Sequence, residues 1–153
     1  MRAMLYKRFP WLVLLIGFAS VSCTPFPMGR FVNNTDRPLT LEISWWAPRG
    51  AEGSYKEQLV LKPREARKCK LSTSLEFDVQ GKGENGALLF TRHIAMTTQE
   101  SFERYVPIGD GMFSSLEIYF LVTEDGIYPI PTQYRKNWKD HLETIVSGAP
   151  PSS

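Results

Sequence analysis

From Phe31 onward the chain is dominated by short runs in which apolar and polar residues alternate. Leu39, Leu41, Ile43 and Trp45 face one way and Thr40, Glu42 and Ser44 the other, the two-residue period of a half-buried strand. Leu75, Phe77 and Val79 alternate with Glu76, Asp78 and Gln80, and Leu116, Ile118, Phe120 and Val122 with Ser115, Glu117, Tyr119 and Leu121. Further strands are predicted over 30–34, 55–61, 66–72, 87–97, 102–107 and 127–130. Turn residues punctuate them: Asn33-Asn34-Thr35-Asp36, Pro48-Arg49-Gly50, Lys62-Pro63, Asn85-Gly86, Gly109-Asp110-Gly111 and Asp125-Gly126 tolerate positive φ or preset a bend. Asn85-Gly86 is a type I′ hairpin signal. Many short strands at this spacing predict an all-β fold, an antiparallel β-sandwich of immunoglobulin-like or transthyretin-like outline.

One helix is predicted at the end. Thr132 is placed to cap Gln133–Ser147, Tyr134, Trp138, Leu142 and Ile145 recur at helical spacing, and Gly148 followed by Pro150 and Pro151 stops it. Its apolar stripe needs a surface, and the sandwich supplies one. Contact with a membrane or partner is the competing use, with Arg135, Lys136 and Lys139 beside Trp138.

The first 22 residues depart from this pattern. Arg2, Lys7 and Arg8 precede the apolar block Trp11–Phe18, and Ala19-Ser20-Val21-Ser22 leads to Cys23, the layout of an export signal. The uncharged stretch is too short for a permanent span of ~20 residues. The segment resembles the lipobox of bacterial lipoproteins: Ser22 is small, Val21 precedes it, and Ser20 stands where that family usually has Leu or Val. The resemblance implies lipidation of Cys23, with a diacylglyceryl thioether and an amide-linked acyl chain such as palmitate, and so a membrane partner reached through the lipid anchor. Thr24, where inner-membrane lipoproteins commonly have Asp, favours the outer membrane by analogy. A plain signal-peptidase cut after Ser22 and an uncleaved anchor are the other readings. The domain reading is then 1–22 signal, 23–29 lipidated terminus and tether, 30–131 sandwich, 132–148 packed helix and 149–153 tail.

Charge changes the picture once the signal is set aside. The whole chain carries 18 basic and 16 acidic residues, a formal +2. Three of the basic residues lie in the signal and none of the acidic ones, so the remainder is balanced and gives no electrostatic reason to expect nucleic acid. One basic run stands out, Lys62, Arg64, Arg67, Lys68 and Lys70. It reads as an edge strand guarded by lysines, or as a patch for an acidic partner. Within that run, a strand places Cys69 beside Leu71 and away from Lys68 and Lys70, so Cys69 is expected to be buried. A disulfide between Cys23 and Cys69 is conceivable only if Cys23 is unmodified.

No catalytic constellation, cofactor site or metal site is expected. Gly81-Lys82-Gly83-Glu84-Asn85-Gly86 matches G-x-G-x-x-G in letters, but a strand rather than a helix follows, so it reads as a hairpin turn. His93 falls on the outward phase of its strand. His141 stands near Asp140 and Glu143, at spacings that do not align on one helical face. If Trp45 points inward, Trp46 must point out, and Tyr119 is outward on its own strand. With Trp138 they form a candidate binding face for a sugar ring or an apolar anchor, unless the terminal helix covers them. The leading expectation is a non-enzymatic envelope module that binds or scaffolds another envelope protein. A carbohydrate-binding module and a small hydrolase around His93 or His141 are the other two.

Overall fold

The structure, a computed structural model, describes residues 27–46, 54–107 and 116–148. The predicted signal, Cys23 and its acylation, the two turns at 48–50 and 109–111 and the tail at 149–153 lie outside the described residues.

Among the described residues eight strands form two four-stranded sheets packed face to face, as the alternation predicts, and a short helix follows them at Leu142–Ser147. The strands are β1 (Met28–Asn33), β2 (Leu39–Trp46), β3 (Ser54–Leu61), β4 (Ala66–Lys70), β5 (Glu76–Lys82), β6 (Leu88–Ala95), β7 (Glu117–Val122) and β8 (Ile127–Pro129). One sheet runs β4-β1-β7-β8 and the other β3-β2-β5-β6. The second is antiparallel throughout, but in the first β1 lies parallel to β7, with Met28 opposite Glu117 and Asn33 opposite Val122. An alternation pattern fixes which side of a strand is buried and carries no information about its neighbour's direction.

The two-residue period is realised in the core. Leu39, Leu41 and Ile43 of β2, Phe77 and Val79 of β5, Phe31 of β1 and Ile118, Phe120 and Val122 of β7 are almost wholly buried between the sheets. Phe120 stacks on Phe31 with centroids 4.9 Å apart and meets Phe77 of the opposite sheet edge-on at 5.8 Å. A second core lies outside the first sheet, where Leu121, Tyr128 and Ile130 pack against Ile145, flanked by Tyr119, Tyr134, Trp138 and Leu142.

Three local expectations are corrected. Residues 102–107 are not a strand: Gln99–Tyr105 is a helix, α1, whose Thr98 cap accepts from the Ser101 amide at 3.2 Å. The terminal helix is not continuous over Gln133–Ser147. Thr132–Tyr134 and Trp138–His141 are 3-10 turns, and only Leu142–Ser147, α2, is α-helical. Thr132 is the first residue of its turn rather than the cap, a position held by Pro131 without a side-chain bond, and the backbone leaves helical geometry at Asn137 (φ −133°) and His141 (φ −125°). The four stripe residues nevertheless all face the second core. Finally, the Asn85-Gly86 hairpin is not type I′, which needs positive φ at both central residues. Gly86 alone has it (φ 77°), and its amide donates to the Gly83 carbonyl at 2.9 Å.

The strands' connections define two ends. At the distal end, the turns 34–38 and 62–65 are tied by Asn33, fully buried: its Nδ2 donates to the carbonyls of Arg37 (2.8 Å) and Lys62 (3.0 Å), and its Oδ1 accepts from the Thr35 amide (2.9 Å). At the proximal end β1 enters and β2 leaves. There the β4–β5 connection joins the sheets, because the Leu71 amide donates to Pro27 and the Met96 amide donates to Leu75.

Candidate functional site

The predicted aromatic face is not one surface. Tyr119 and Trp138 belong to the second core, and Tyr119 lies between two guanidinium groups, Arg30 at 5.4 Å and Arg135 at 5.0 Å from its ring centroid. Arg135 also donates to the Tyr105 carbonyl at 3.0 Å, tying the terminal segment to α1, and burial pushes its pKa down. Trp46 stands on the other sheet, 79% exposed, beside half-buried Trp45. The expected inward and outward phases of this pair are therefore realised, while the terminal segment covers Tyr119 and leaves Trp46 bare.

The basic run follows the edge-strand reading geometrically, since β4 is the edge of its sheet. Lys62, Arg64, Arg67, Lys68 and Lys70 are all exposed. Arg64 donates to Asp36 at 2.9 Å and to Asn34 Oδ1 at 2.8 Å, Arg67 to the Val60 carbonyl at 3.2 Å, and Lys68 Nζ to Glu117 at 2.9 Å. Glu117 also receives Arg30 at 3.3 Å. Arg64 and Lys68 are thus each engaged by a separate acidic residue, Asp36 and Glu117. Cys69 is buried on the inner side with Leu71, as a free thiol. Burial, and secondarily the charge of Glu57, pushes its pKa up to about 12, so it is not a reactive nucleophile at neutral pH.

Both imidazoles have structural partners. His93 is half exposed on the outer face of the second sheet, its Nδ1 2.8 Å from Asp78 and its Nε2 3.5 Å from Glu76. His141 stacks on Tyr134 at 4.2 Å, with Nε2 3.0 Å from Asn137 Nδ2. Among the described residues no group of three or more His, Cys, Asp or Glu side chains is placed to hold a metal ion.

Two concave regions were not anticipated. A groove of about 230 Å³ separates the facing edges of β6 and β8 beneath α1, lined by Arg92, His93, Met96, Tyr105 and Tyr128 among others. A wider one of about 650 Å³ opens at the distal end among Arg37, Leu39, Glu84, Leu89 and Glu124. Exposed Leu88 and Leu89 begin β6 there. Neither leaves a sequence signal, because each is built from loops and strand edges brought together only by the tertiary fold.

No family model matches the sequence, and no curated protein matches it. Among solved structures the chain is similar to one titled "NMR structure of the protein from Eubacterium rectale", at 12% identity, covering 71% of this chain and 90% of that one, with a TM-score of 0.40.

Proposed function

We propose that this protein is a cell-envelope lipoprotein, moored through Cys23 and acting as a non-catalytic binding module. The observation that carries the reading is the shortness of chain between the lipobox cysteine and the fold. Pro27 is already buried, and Met28 is already paired with both Lys70 and Glu117 in an interior strand. Only four residue steps separate Cys23 from Pro27, at most ~14 Å of extended chain. A cut ahead of Cys23 thus leaves four residues before the first described position, Pro27, and Met28 and Gly29 of the predicted tether 23–29 belong to β1.

Anchoring at that point turns the proximal end toward the bilayer and the distal groove away from it. That groove, with Pro38, Leu39 and Leu89 beside Arg37, Glu84 and Glu124, offers an apolar centre and a charged rim of both signs, the composition of a protein-binding patch. An envelope protein is the partner it suits. A glycan module is the second reading, favoured by the exposure of Trp46 alone.

Intact mass measurement of the protein extracted from membranes tests the anchor: the expected species begins at Cys23 and carries acyl chains, and a retained leader or an unmodified cysteine refutes it. A photo-crosslinker placed at Leu89 tests the module. The expected product is one adduct of defined mass that disappears with Arg37→Glu at unchanged melting temperature, and adducts insensitive to that change would remove the distal groove as the site.

A further inference from the structure

Exposed apolar side chains are not spread evenly over this fold. The aliphatic ones on the strands, Val60, Leu88 and Leu89, lie in its distal half. Among the described residues the exposed aromatic ones, Trp46 (79% exposed), Tyr55 (53%) and Phe102 (38%), lie at the proximal end. Trp46 is the last residue of β2 and pairs with Ser54, the first of β3. Phe102 is on α1, between the proximal end of β6 and the proximal start of β7. This is also the end at which β1 enters, where the Pro27 carbonyl accepts from Leu71 and the Met28 amide donates to Leu116.

We propose that this aromatic rim seats in the headgroup layer of the membrane that holds the anchor, so that the protein stands on the bilayer through its proximal end. The proposal rests on the lipid-anchor reading above, and adds a contact that acylation alone does not require. The tether supplies the reach: at most ~14 Å of chain joins Pro27 to a cysteine whose acyl chains lie in a bilayer with only ~5–8 Å of polar layer per side. The rings supply the chemistry, since Trp and Tyr pair an apolar body with a polar tip and concentrate at membrane interfaces. They are also held in place. Tyr55 stacks on half-buried Trp45 at 6.0 Å and 20°, and α1 is fixed by its Thr98 cap and by Arg135 on the Tyr105 carbonyl. Among the described residues charge does not choose the lipid: Lys70 and Arg104 share this end with Glu76, Glu100 and Glu103. The contact is therefore apolar and insensitive to salt, and a zwitterionic surface suffices.

The test uses the mature protein reconstituted into phosphatidylcholine vesicles brominated at shallow acyl positions, with its intact mass recorded from the same sample. Tryptophan emission is expected to shift to the blue and lose intensity, the Trp46→Phe variant to lose at least half of that quenching, and 1 M salt to leave it unchanged. Acylated protein whose emission ignores the brominated lipid overturns the rim contact while leaving the anchor intact. A sample without acyl chains refutes the anchor and the rim together. A response of Trp46 to soluble cell-wall glycan fragments, without one to vesicles, assigns the ring to sugar and overturns the membrane contact. Tyr55→Ser and Phe102→Ser, both on exposed rings, are expected to weaken the quenching in proportion, and full quenching in the combined variant would exclude their part in it.

Discussion

Replacing Phe120 by alanine tests the way the two sheets are held together. Its ring is fully buried, stacks on Phe31 within its own sheet and meets Phe77 edge-on across the sandwich. A phenyl ring of ~150 Å², at about 25 cal/mol per Å², contributes roughly 4 kcal/mol, within the 3–5 kcal/mol range of measured Phe→Ala changes in cores. For a domain of this size about 1 kcal/mol moves the melting temperature by roughly 4 °C, so Phe120→Ala is expected to melt roughly 15 °C lower. Phe120→Leu keeps most of the volume and loses the ring pairs, and is expected to lie roughly a third of the way down. Circular dichroism melts with parallel urea titrations supply the comparison, and unchanged urea slopes are required for it to be valid. A loss under ~5 °C for the alanine variant would mean that the ring does not bridge the sheets, and the sandwich described above would be wrong at its centre.

Other outcomes are equally direct. Ile145→Ala is expected to cost ~2–4 kcal/mol, because Ile145 seals Leu121, Tyr128 and Ile130; hydrogen exchange that leaves 142–147 no better protected than a free tail would show that the segment is not docked. Gly81→Ala places a methyl group 2.3 Å from the Phe90 ring and is expected to cost more than ~2 kcal/mol, with partial recovery in Gly81→Ala/Phe90→Leu; additive losses in the double variant would contradict the contact. Cys69, with its pKa raised to about 12, stays protonated in the fold while an unfolded thiol ionises from ~8.5. Its contribution to stability is thus complete below that point and is lost as pH rises toward 12. Cys69→Ala should flatten that part of the alkaline decline, and iodoacetamide at pH 8 should label Cys69 only in denaturant. Asp125 is held below the usual carboxylate range, chiefly by the Thr123 hydroxyl, so its contribution is present above about pH 4 and fades as pH falls through the lowered value. Because it is largely exposed, a melting gap of only ~2 °C is expected against Asp125→Asn at pH 6, closing in acid; a gap that widens in acid would reverse the assignment.

How much of this was legible in the sequence depends on how local the cause is. Strands β2, β5 and β7 follow from alternation, since a half-buried strand imprints its two faces on the residue order. So do the inward Cys69 and the opposed phases of Trp45 and Trp46. Helix α1 carried a signal that strand propensity obscured: Thr98 as cap, Glu100 in the first turn, Arg104 in the last, and Phe102, Tyr105 and Val106 at helical spacing. The broken terminal helix was less accessible. Its stripe is correctly periodic, yet the bonds from Arg135 to Tyr105 and between Asn137 and His141 are tertiary and local side-chain choices that periodicity does not register. The separation of Trp46, on one sheet, from Tyr119 and Trp138, which meet at the second core on the other, depends on strand order, which no single strand encodes. Both grooves share that dependence.

The parallel contact between β1 and β7 also governs when this protein can fold. Arg30 reaches Tyr119 across 89 positions of sequence, and β1 has on its other side only the edge strand β4. A chain delivered amino terminus first must therefore hold its opening strand incomplete until Val122 has emerged. Such long-range closure folds slowly, so the sheet that contains the first described strand is the last to be completed.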